Sequence, residues 1–381
     1  MHEWSRGAAA IVGGGTYGVG DAPGFTATEL AAKASLNALA DANLALSDVD
    51  GIFLCMPDDM LSGLSFSEYL GLTPRHTDNN RLGGSSFMSH AVTAALYLEA
   101  GLIDIALIAY GSVSRSSRKL LVAPGSSDFE SPFNVTLAAS YALATRRHMH
   151  EYGTTAEQLA SVAVSMRKWA RHHPDAMLRD ELTIAECLAS RPVASPLKVR
   201  DCCLVTDGGG AIVMMRADRA KDHCTRPAYL LGGAAATTHR YISAMADLTR
   251  TAAADCGPRA FALAGLTPAD VDIAQLYDAF TINPILFLED LGFCRKGEAA
   301  TFFAEGNAAP GGALPVNTNG GGLSCVHPGM YGIFAIEEAF RQISRTARGL
   351  QVENADVAVV HGNGGVLSSQ ATLILGSAAT L

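Results

Sequence analysis

The sequence predicts an α/β fold made of two copies of one βαβ-type unit. Three short patterns occur in the same order in both halves: an Asp-Val-Asp turn before an apolar strand, a Gly-Gly pair before a helix, and an aspartate that opens a further apolar strand. The first copies begin at Asp48, Gly83 and Asp104, and the second copies begin at Asp270, Gly321 and Asp356. One match can arise by chance, but three in order indicate a duplication, with apolar strands covered by helices.

Local patterns define the elements of each half. Helices are predicted where apolar residues recur every three or four positions, and buried strands where short apolar runs lie between turn signals. Glycine runs at residues 13–15 and 208–210 are interpreted as turns and as close packing in the sheet. In chain order, the first half predicts a strand at 8–12, a helix at 26–44, a strand at 52–54, a helix at 86–100, and strands at 104–110 and 211–215. The second half predicts a helix at 248–264, a strand at 273–277, a helix at 332–343 and a strand at 356–360.

A helix-rich insert separates the two halves. The predicted division is 1–123 with 201–226 for the first half, 124–200 for the insert, and 227–381 for the second half. The insert carries basic and aromatic clusters at residues 146–148 and 167–173. These clusters are interpreted either as a solvated helix face or as a positive rim for a phosphate-bearing ligand such as coenzyme A.

Composition limits the classes of function. Apolar residues make up 49% of the 381 residues and charged residues 17%, which indicates a large buried core and a buried subunit interface. The net charge of −9 gives no general basic footprint for nucleic acid. No apolar run is as long as a membrane span and no signal pattern opens the chain, so a soluble, cytoplasmic protein is expected. The eight cysteines lack zinc-site spacing, so reduced thiols are expected, with no metal or cofactor in this chain.

The loop at residues 317–331 is the first candidate site. Its glycines, which include Gly321 and Gly322, let the backbone pass close to a ligand or another strand. His327 precedes Pro328, and this pair places an imidazole at the start of the next helix, where backbone N–H groups favour negative charge. The loop is therefore either an oxyanion site or a glycine-rich turn with a capping histidine.

A set of segments in the right order across essentially the whole chain, at 201–208, 277–280, 288–294, 321–328 and 361–365, resembles the thiolase superfamily. The Gly-Gly-Leu-Ser-Cys-Val-His-Pro segment at 321–328 resembles its histidine loop, and Tyr-Asp-Ala-Phe at 277–280 resembles its Asn-Glu-Ala-Phe box. His-Gly-Asn-Gly-Gly at 361–365 lies where thiolases carry a second cysteine. Residues 201–208 and 288–294 are typical of the sterol-carrier-protein branch, whose members are often called lipid-transfer proteins. The resemblance implies the thiolase fold, with five layers in the order αβαβα.

Both cysteines that a thiolase uses are missing at the matching positions. The place of the nucleophile holds Ser85 or Ser86, and a serine hydroxyl is a far weaker nucleophile unless a base activates it. These serines are interpreted as caps of the following helix. The second cysteine is replaced near His361 or Gly362. A working Claisen thiolase is therefore not expected.

The same branch contains cysteine-less retro-aldolases that cleave β-hydroxyacyl-CoA thioesters in steroid side-chain degradation. The resemblance implies this activity here, a carbon–carbon lyase whose leading substrate is a 17-hydroxy C22 steroid CoA thioester, cleaved to a 17-ketone and propionyl-CoA. It also implies a homodimer with two small zinc-ribbon and OB-fold partner chains, which would help form the acyl-CoA site. Zinc is expected only in that partner.

Two tyrosines match the catalytic positions of these aldolases, Tyr277 in the first box and Tyr331 after the histidine loop. One would take the proton of the β-hydroxyl and the other would orient it. Because a phenol titrates near pH ~10, a tyrosine base needs a lowered pKa, and a nearby cation is the simplest cause. His361 is the candidate for protonating the α-carbon.

The remaining site residues are expected to bind the developing negative charge. His327 would donate to the enolate oxygen, together with a backbone N–H near Gly364 or Gly365. Asp278 is expected to cap or fix the loop rather than to act as a base.

Two other functions stay open. The chain could be a thiolase or acyltransferase that uses Cys325 or one of the two serines at 85–86, or a non-catalytic subunit that binds acyl-CoA or lipid. Tyr277 could also be a core residue with a satisfied hydroxyl. Three polar groups on glycine-rich loops, those of His327, Tyr331 and His361, weigh against a silent subunit.

Overall fold

A nine-stranded mixed sheet organises the fold. The computed structural model describes residues 5–118, 128–133 and 135–381. The strands are β1 (Ala9–Gly20), β2 (Gly51–Leu54), β3 (His76–Asp78), β4 (Ile105–Ser112), β5 (Pro192–Ala194), β6 (Leu197–Lys198), β7 (Asp207–Arg216), β8 (Ala228–Thr237), β9 (Ile273–Leu276), β10 (Val357–Gly364) and β11 (Ser369–Gly376). The helices are α1 (Ala27–Asp41), α2 (Ser62–Leu70), α3 (Ser86–Glu99), α4 (Leu137–Tyr152), α5 (Ala156–Ala170), α6 (Ile184–Ala189), α7 (Ala217–His223), α8 (Ala253–Ala264), α9 (Ile282–Asp290), α10 (Ala299–Ala304), α11 (Gly321–Ser324) and α12 (Gly332–Ser344).

The sheet confirms the duplicated α/β architecture. Its order is β3-β2-β4-β7-β1-β8-β11-β10-β9. In the first half β2 pairs parallel with β4, and β4, β7 and β1 are antiparallel neighbours. In the second half β9 pairs parallel with β10, and β10, β11 and β8 are antiparallel neighbours. The two halves therefore repeat one topology, and they meet where β1 pairs with β8 over two residue pairs.

Helices lie outside and between the strands of the two halves. Helix α1 packs on β1, β7 and β4, and α8 packs on β8 and β11. Helices α3 and α12 each contact strands of both halves, so they form the central layer. Both central helices are consequently buried along most of their length. When the strands of each half are counted as one layer, the order of helix, sheet, helix, sheet and helix is the five-layer arrangement that the resemblance implies.

The first strand is longer than the sequence predicts. We expected it to end at Gly13, but β1 continues to Gly20. A Cβ at Gly13 would overlap the carbonyl oxygen of Ala38 in α1, and a Cβ at Gly209 in β7 would overlap the carbonyl oxygen of Leu30 in the same helix. These glycines let α1 lie directly on the strands, so they mark close packing inside the sheet and not its turns.

The insert contains α4, α5 and α6, and its predicted positions 124–127 and 134 lie outside the described residues. Three of its basic side chains are buried: His148, Arg167 and His173. His148 forms hydrogen bonds with Thr154 Oγ1 at 2.8 Å and Glu289 Oε2 at 3.1 Å, which tie α4 to α9. For these three residues the interpretation as a solvated helix face is wrong, because their side chains are buried. His148 and Arg167 also bond to the second half, since Arg167 Nε donates to Ser324 Oγ at 3.0 Å.

The part of the chain that the structure covers has neither a membrane-spanning helix nor a cluster of metal ligands. None of the helices within residues 5–118, 128–133 and 135–381 has the length and apolar character needed to cross a lipid bilayer. In the same residues, no group of three or more His, Cys, Asp or Glu side chains could hold a metal ion.

The close packing of α1 gives a test of the fold. Gly209→Ala is expected to lower the free energy of unfolding by about 1–3 kcal/mol, because the new methyl group meets the backbone of Leu30 and not a movable side chain. Gly349→Ala is the control, since a Cβ there meets His173 only at ordinary contact distance, 3.4 Å. Urea unfolding of both variants measures the difference. Equal stability of the two would contradict the packing argument.

Candidate active site

A cavity of about 140 Å³ lies where loops from both halves and the insert converge. It is lined by Ser114 and by residues from six segments, at 83–84, 137–141, 203–205, 277–280, 327–330 and 363–365. Its lining is mostly apolar, with a few polar groups, as is usual for a small-molecule site. The cavity therefore collects the first box, the histidine loop and the 361–365 segment that the sequence singles out.

Two side chains hold the histidine loop against the end of β9. The amide of Asn317 accepts from the Leu276 N–H at 2.6 Å and donates to the Leu276 carbonyl at 2.8 Å. The Asp278 carboxylate accepts from the N–H groups of Gly322 and Leu323 at 2.6 and 3.1 Å. Burial raises the pKa of Asp278 to about 7, against the effect of these N–H groups. Asp278 thus has the loop-fixing position expected from the sequence.

Gly321 and Gly322 form the close contact of this loop and do not line the cavity. Gly321 has a φ of 65°, and a Cβ at Gly322 would lie 2.9 Å from Cδ2 of His327. These positions therefore let α11 approach both Asp278 and the imidazole.

Tyr277 reaches the cavity from the end of β9. Its hydroxyl accepts from the Tyr331 N–H at 3.2 Å and donates a long hydrogen bond to the Gly329 carbonyl oxygen at 3.5 Å. A Cβ at Gly84 would overlap the Tyr277 ring, so the ring lies flat against that glycine. Burial raises the pKa of Tyr277 well above its usual value, and the described cavity lining contains no lysine or arginine that would lower it. The nearby cation that would lower the pKa of a tyrosine base is therefore absent from the described cavity lining.

His327 faces Tyr277 in the cavity, with ring centroids 5.4 Å apart in an edge-to-face contact. Its backbone N–H donates to Thr206 Oγ1 at 3.0 Å, which fixes the loop. The Nε2 atom is buried and has no hydrogen-bond partner. Burial lowers the pKa of His327 to about 4, so the imidazole is neutral near pH ~7. A neutral imidazole with an unpaired nitrogen can accept or donate a proton.

Tyr331 lies behind the cavity and not in its lining. Its hydroxyl donates to Asn319 Oδ1 at 2.9 Å, and its backbone N–H holds the hydroxyl of Tyr277. Burial also raises the pKa of Tyr331 well above its usual value. Of the two predicted tyrosines, the structure brings only Tyr277 to the cavity.

His361 does not reach the cavity. It is fully buried in β10, and its Nδ1 and Nε2 atoms pair with Thr372 Oγ1 at 2.8 Å and Gln370 Oε1 at 2.9 Å. Burial lowers its pKa to about 3, so it stays neutral. This placement does not support the predicted role of His361 in protonating the α-carbon, because both ring nitrogens are engaged away from the cavity.

The candidate nucleophiles are also outside the cavity lining. Ser85 Oγ donates to Ser369 Oγ at 3.0 Å, and Ser86 Oγ accepts from the Leu82 N–H at 2.7 Å. Ser85 makes no side-chain cap of α3, contrary to the expectation. Cys325 is buried, and its pKa is raised well above the usual value by burial and then by the nearby carboxylate of Glu338. None of the three has the activation that nucleophilic catalysis requires.

Sequence reasoning missed three residues that line the cavity: Tyr141, Cys203 and Asn363. Tyr141 comes from α4 in the insert, and its ring stacks on Phe280 with centroids 4.3 Å apart. Asn363 stands inside the His-Gly-Asn-Gly-Gly segment, so its position was available as a signal. Cys203 stands in the 201–208 segment that the resemblance includes, but neither it nor Tyr141 could be assigned to the site from the sequence, because only tertiary contacts bring them there. Burial raises the pKa of the Cys203 thiol, which disfavours the reactive thiolate.

Known proteins are similar to this chain over most of its length. Residues 234–377 match the family model described as Thiolase C-terminal domain-like. The chain is 32% identical to the steroid side-chain-cleaving aldolase of Thermomonospora curvata, over 97% of this chain and 98% of that protein. It is 34% identical to the 17-hydroxy-3-oxo-4-pregnene-20-carboxyl-CoA lyase of Mycobacterium tuberculosis, over 90% and 92% of the two chains. It is also 30% identical to the acetyl-CoA acetyltransferase of Methanothermobacter thermautotrophicus, over 93% and 96%.

A solved structure shows the same fold over the whole chain. The structure named Ltp2-ChsH2(DUF35) aldolase superimposes with a TM-score of 0.89 at 33% sequence identity, covering 98% of each chain.

The burial of Cys325 gives a direct chemical test. Iodoacetamide is expected to leave Cys325 unlabelled in the folded protein and to label it after denaturation, because the thiol is buried and its pKa is raised. Peptide mass spectrometry measures both states. Cys224 and Cys294 serve as internal comparisons, since each of these side chains is only partly buried. Rapid labelling of Cys325 in the folded protein would restore it as a candidate nucleophile.

Proposed function

We propose that this chain, which belongs to the thiolase superfamily and to its sterol-carrier-protein or lipid-transfer branch, cleaves a β-hydroxyacyl-CoA thioester by a retro-aldol reaction. The leading substrate is a steroid side-chain CoA thioester with a 17-hydroxyl group, which gives a 17-ketosteroid and propionyl-CoA. The names of the Thermomonospora and Mycobacterium relatives support this substrate. The observation that carries the proposal is the neutral His327 opposite a protonated Tyr277, in a cavity whose one lining cysteine has a raised pKa.

The reaction needs one proton to move and no covalent intermediate. A base removes the proton of the β-hydroxyl, the bond between the α- and β-carbons breaks, and the β-carbon becomes a carbonyl. The electron pair of the broken bond forms the thioester enolate, whose α-carbon then takes a proton. The products together have the atoms of the substrate, so neither free CoA nor an oxidant is consumed. A site for this reaction must supply a base, a proton donor and hydrogen bonds to the enolate oxygen.

His327 is best suited to move the proton. Among the described residues that line the cavity, it is the neutral group with an unpaired ring nitrogen. It would accept the β-hydroxyl proton at Nε2 and return it to the α-carbon. This assignment replaces the tyrosine base, since burial keeps both phenols protonated.

Tyr277 is proposed as a donor to the enolate oxygen, and Tyr331 as the residue that positions Tyr277 through its backbone N–H. The backbone at Gly364 and Gly365 lines the same cavity and is the proposed second part of the oxyanion site. Asp278, Gly321 and Gly322 are proposed to keep the histidine loop in place. Ser85 and Ser86 are proposed to stabilise the packing at the start of α3.

Assembly with a small partner chain is the second part of the proposal. A zinc-ribbon and OB-fold partner would complete the acyl-CoA site, and two of each chain would form a heterotetramer around a homodimer of this chain. The name of the matching structure, which joins Ltp2 to ChsH2(DUF35), supports such a partner. We also propose that the protein is cytoplasmic. Its proposed halves are 1–123 with 201–226 and 227–381, and its proposed insert is 124–200.

One assay separates this function from its alternatives. The chain is co-expressed with its partner, given β-hydroxyacyl-CoA thioesters with steroid and simpler side chains, and the products are followed by mass spectrometry. Release of a carbonyl fragment and an acyl-CoA without consumption of free CoA supports the retro-aldolase. Cleavage that requires added CoA would support a thiolase, and tight binding without turnover would support a silent subunit.

The donor role of Tyr277 predicts that removal of its hydroxyl oxygen strongly lowers the rate of cleavage. Tyr277→Phe is expected to lower kcat by about 10²–10³-fold, because a preorganised donor to an oxyanion contributes about 3–4 kcal/mol. Tyr331→Phe is the matched control. It removes only the hydrogen bond to Asn319 and keeps the backbone N–H that holds Tyr277, so a reduction of less than ~10-fold is expected. Equal losses in the two variants would contradict the assignment.

The assignment of the base predicts the pH profile. His327 has its pKa lowered to about 4, so it is already deprotonated at neutral pH, and kcat/KM is expected to be constant between about pH 6 and 9. The rate should decrease only as acid protonates the imidazole. A tyrosine base would instead make kcat/KM rise about tenfold per pH unit up to the phenol pKa. Initial rates across this range decide between the two.

A further inference from the structure

The register of β10 and β11 builds a chain of polar side chains between the core and the cavity. His361 lies opposite Thr372, and Asn363 lies opposite Gln370. Because alternate residues of a strand point to the same face, His361 and Asn363 project from one face of β10 towards the same neighbours on β11. All four residues are buried. This cross-strand group connects the core histidine to the wall of the cavity.

Each link of the chain is a hydrogen bond of normal length. His361 Nε2 pairs with Gln370 Oε1 at 2.9 Å, and Gln370 Nε2 donates to Asn363 Oδ1 at 2.7 Å. Asn363 Nδ2 then donates to the hydroxyl of Tyr141 at 2.9 Å, and that hydroxyl donates to the Gly365 carbonyl oxygen at 3.2 Å. At the other end, His361 Nδ1 pairs with Thr372 Oγ1 at 2.8 Å.

All links from His361 to Gly365 donate in one direction. A neutral imidazole has a single N–H, which here must lie on Nε2 because the Gln370 oxygen can only accept. With its oxygen turned to His361, Gln370 presents its amino group to the oxygen of Asn363. The Asn363 oxygen is therefore occupied inside the sheet, and its amino group is at the cavity side, next to Tyr141.

The cavity places this amino group close to the reacting atoms. Asn363 and Tyr141 line the same 140 Å³ space as His327 and Tyr277. Because this space is small, the groups around it lie close to the same part of a bound thioester. The second hydrogen of the Asn363 amino group is available for such a ligand, because one hydrogen serves Tyr141.

We infer that Asn363 donates a hydrogen bond to the thioester oxygen that becomes negative during the reaction, and that His361 and Gln370 are positioning residues that fix the orientation of its amide. An amide turned the other way would place its oxygen against the enolate oxygen, which is repulsive. This inference rests on the proposed retro-aldol function, because that function supplies the enolate. It gives the buried His361 a function that needs no contact with substrate.

Infrared spectroscopy of a bound product tests the donor without turnover. Propionyl-CoA with ¹³C at the thioester carbonyl is bound to the enzyme together with its partner chain, and the carbonyl stretch is recorded. Hydrogen-bond donors lower this frequency. At a pH at which the new carboxyl group is ionised, Asn363→Asp keeps the size of the side chain and removes its donor, so the downshift should shrink, and kcat for a β-hydroxyacyl-CoA should fall about 10²–10³-fold.

Gln370→Met tests the positioning role, because it interrupts the chain while it leaves Asn363 in place. A smaller loss of downshift and of kcat is expected, and combining it with Asn363→Asp should cost no more than Asn363→Asp alone. Thr372→Val is the matched control: it removes the other bond of His361 and leaves the path to Asn363 intact, so the carbonyl frequency should equal that of the wild type. Thermal unfolding of each variant shows whether it is folded. If either Asn363→Asp or Gln370→Met does not fold, the other variant still tests the inference.

Three results would overturn the inference: an unchanged carbonyl frequency in Asn363→Asp, losses that multiply in the double variant, or no binding of propionyl-CoA by the wild type. A fourth result would separate the two proposals: a wild-type enzyme that binds propionyl-CoA with a lowered carbonyl frequency but cleaves no β-hydroxyacyl-CoA. The retro-aldol proposal would then fail, while the dependence of the frequency on Asn363 would still establish the donor.

Discussion

Contact between the first turns of α3 and α12 is the constraint on which the site depends. A Cβ at Gly332 would overlap the carbonyl oxygen of Gly84, and a Cβ at Gly83 would lie 2.8 Å from the Cα of Gly364. Only glycine permits backbone segments to approach this closely. Because the two helices belong to opposite halves of the duplication, this contact brings loops from both halves around one small cavity. The same kind of packing holds α1 on the sheet, so both the fold and the site depend on glycines at close backbone contacts.

Desolvation then determines the chemistry of the cavity. Burial lowers the pKa of His327 to about 4 and raises that of Tyr277, so both groups are neutral and face each other at one place. A neutral imidazole that can accept a proton and a neutral phenol that can donate a hydrogen bond suit a reaction in which a proton leaves one atom of the substrate and returns to another. The same burial raises the pKa of the thiols of Cys203 and Cys325. An environment that favours proton transfer through imidazole therefore disfavours a thiolate nucleophile.

Much of this could be predicted from the sequence, and the errors have identifiable causes. Elements with clear apolar patterns, such as β10 and α12, were predictable because such patterns depend on local order in the chain, whereas β8 and β11 were not predicted. The length of β1 was not, since the reason for Gly13 lies in α1 and not in its neighbours. Tyr277 and His327 could be found by resemblance, but the resemblance could not show that Tyr331 lies behind the cavity. His361 was recognised as important, while its contacts with Thr372 and Gln370 depend on strand register.

The sequence by itself determined the duplication, the α/β class, the loss of the thiolase cysteines and the histidine loop, because each is written in residue types and their order. The tertiary structure alone decided protonation states and partners. A pKa depends on how much water and which charges surround a group, and that is fixed only when segments far apart in the chain are packed together. Tyr141 shows this most clearly: it lies 224 residues before the Gly365 carbonyl to which it donates, and no local pattern marks it. Chemistry in this protein is a property of the packed halves and not of either half alone.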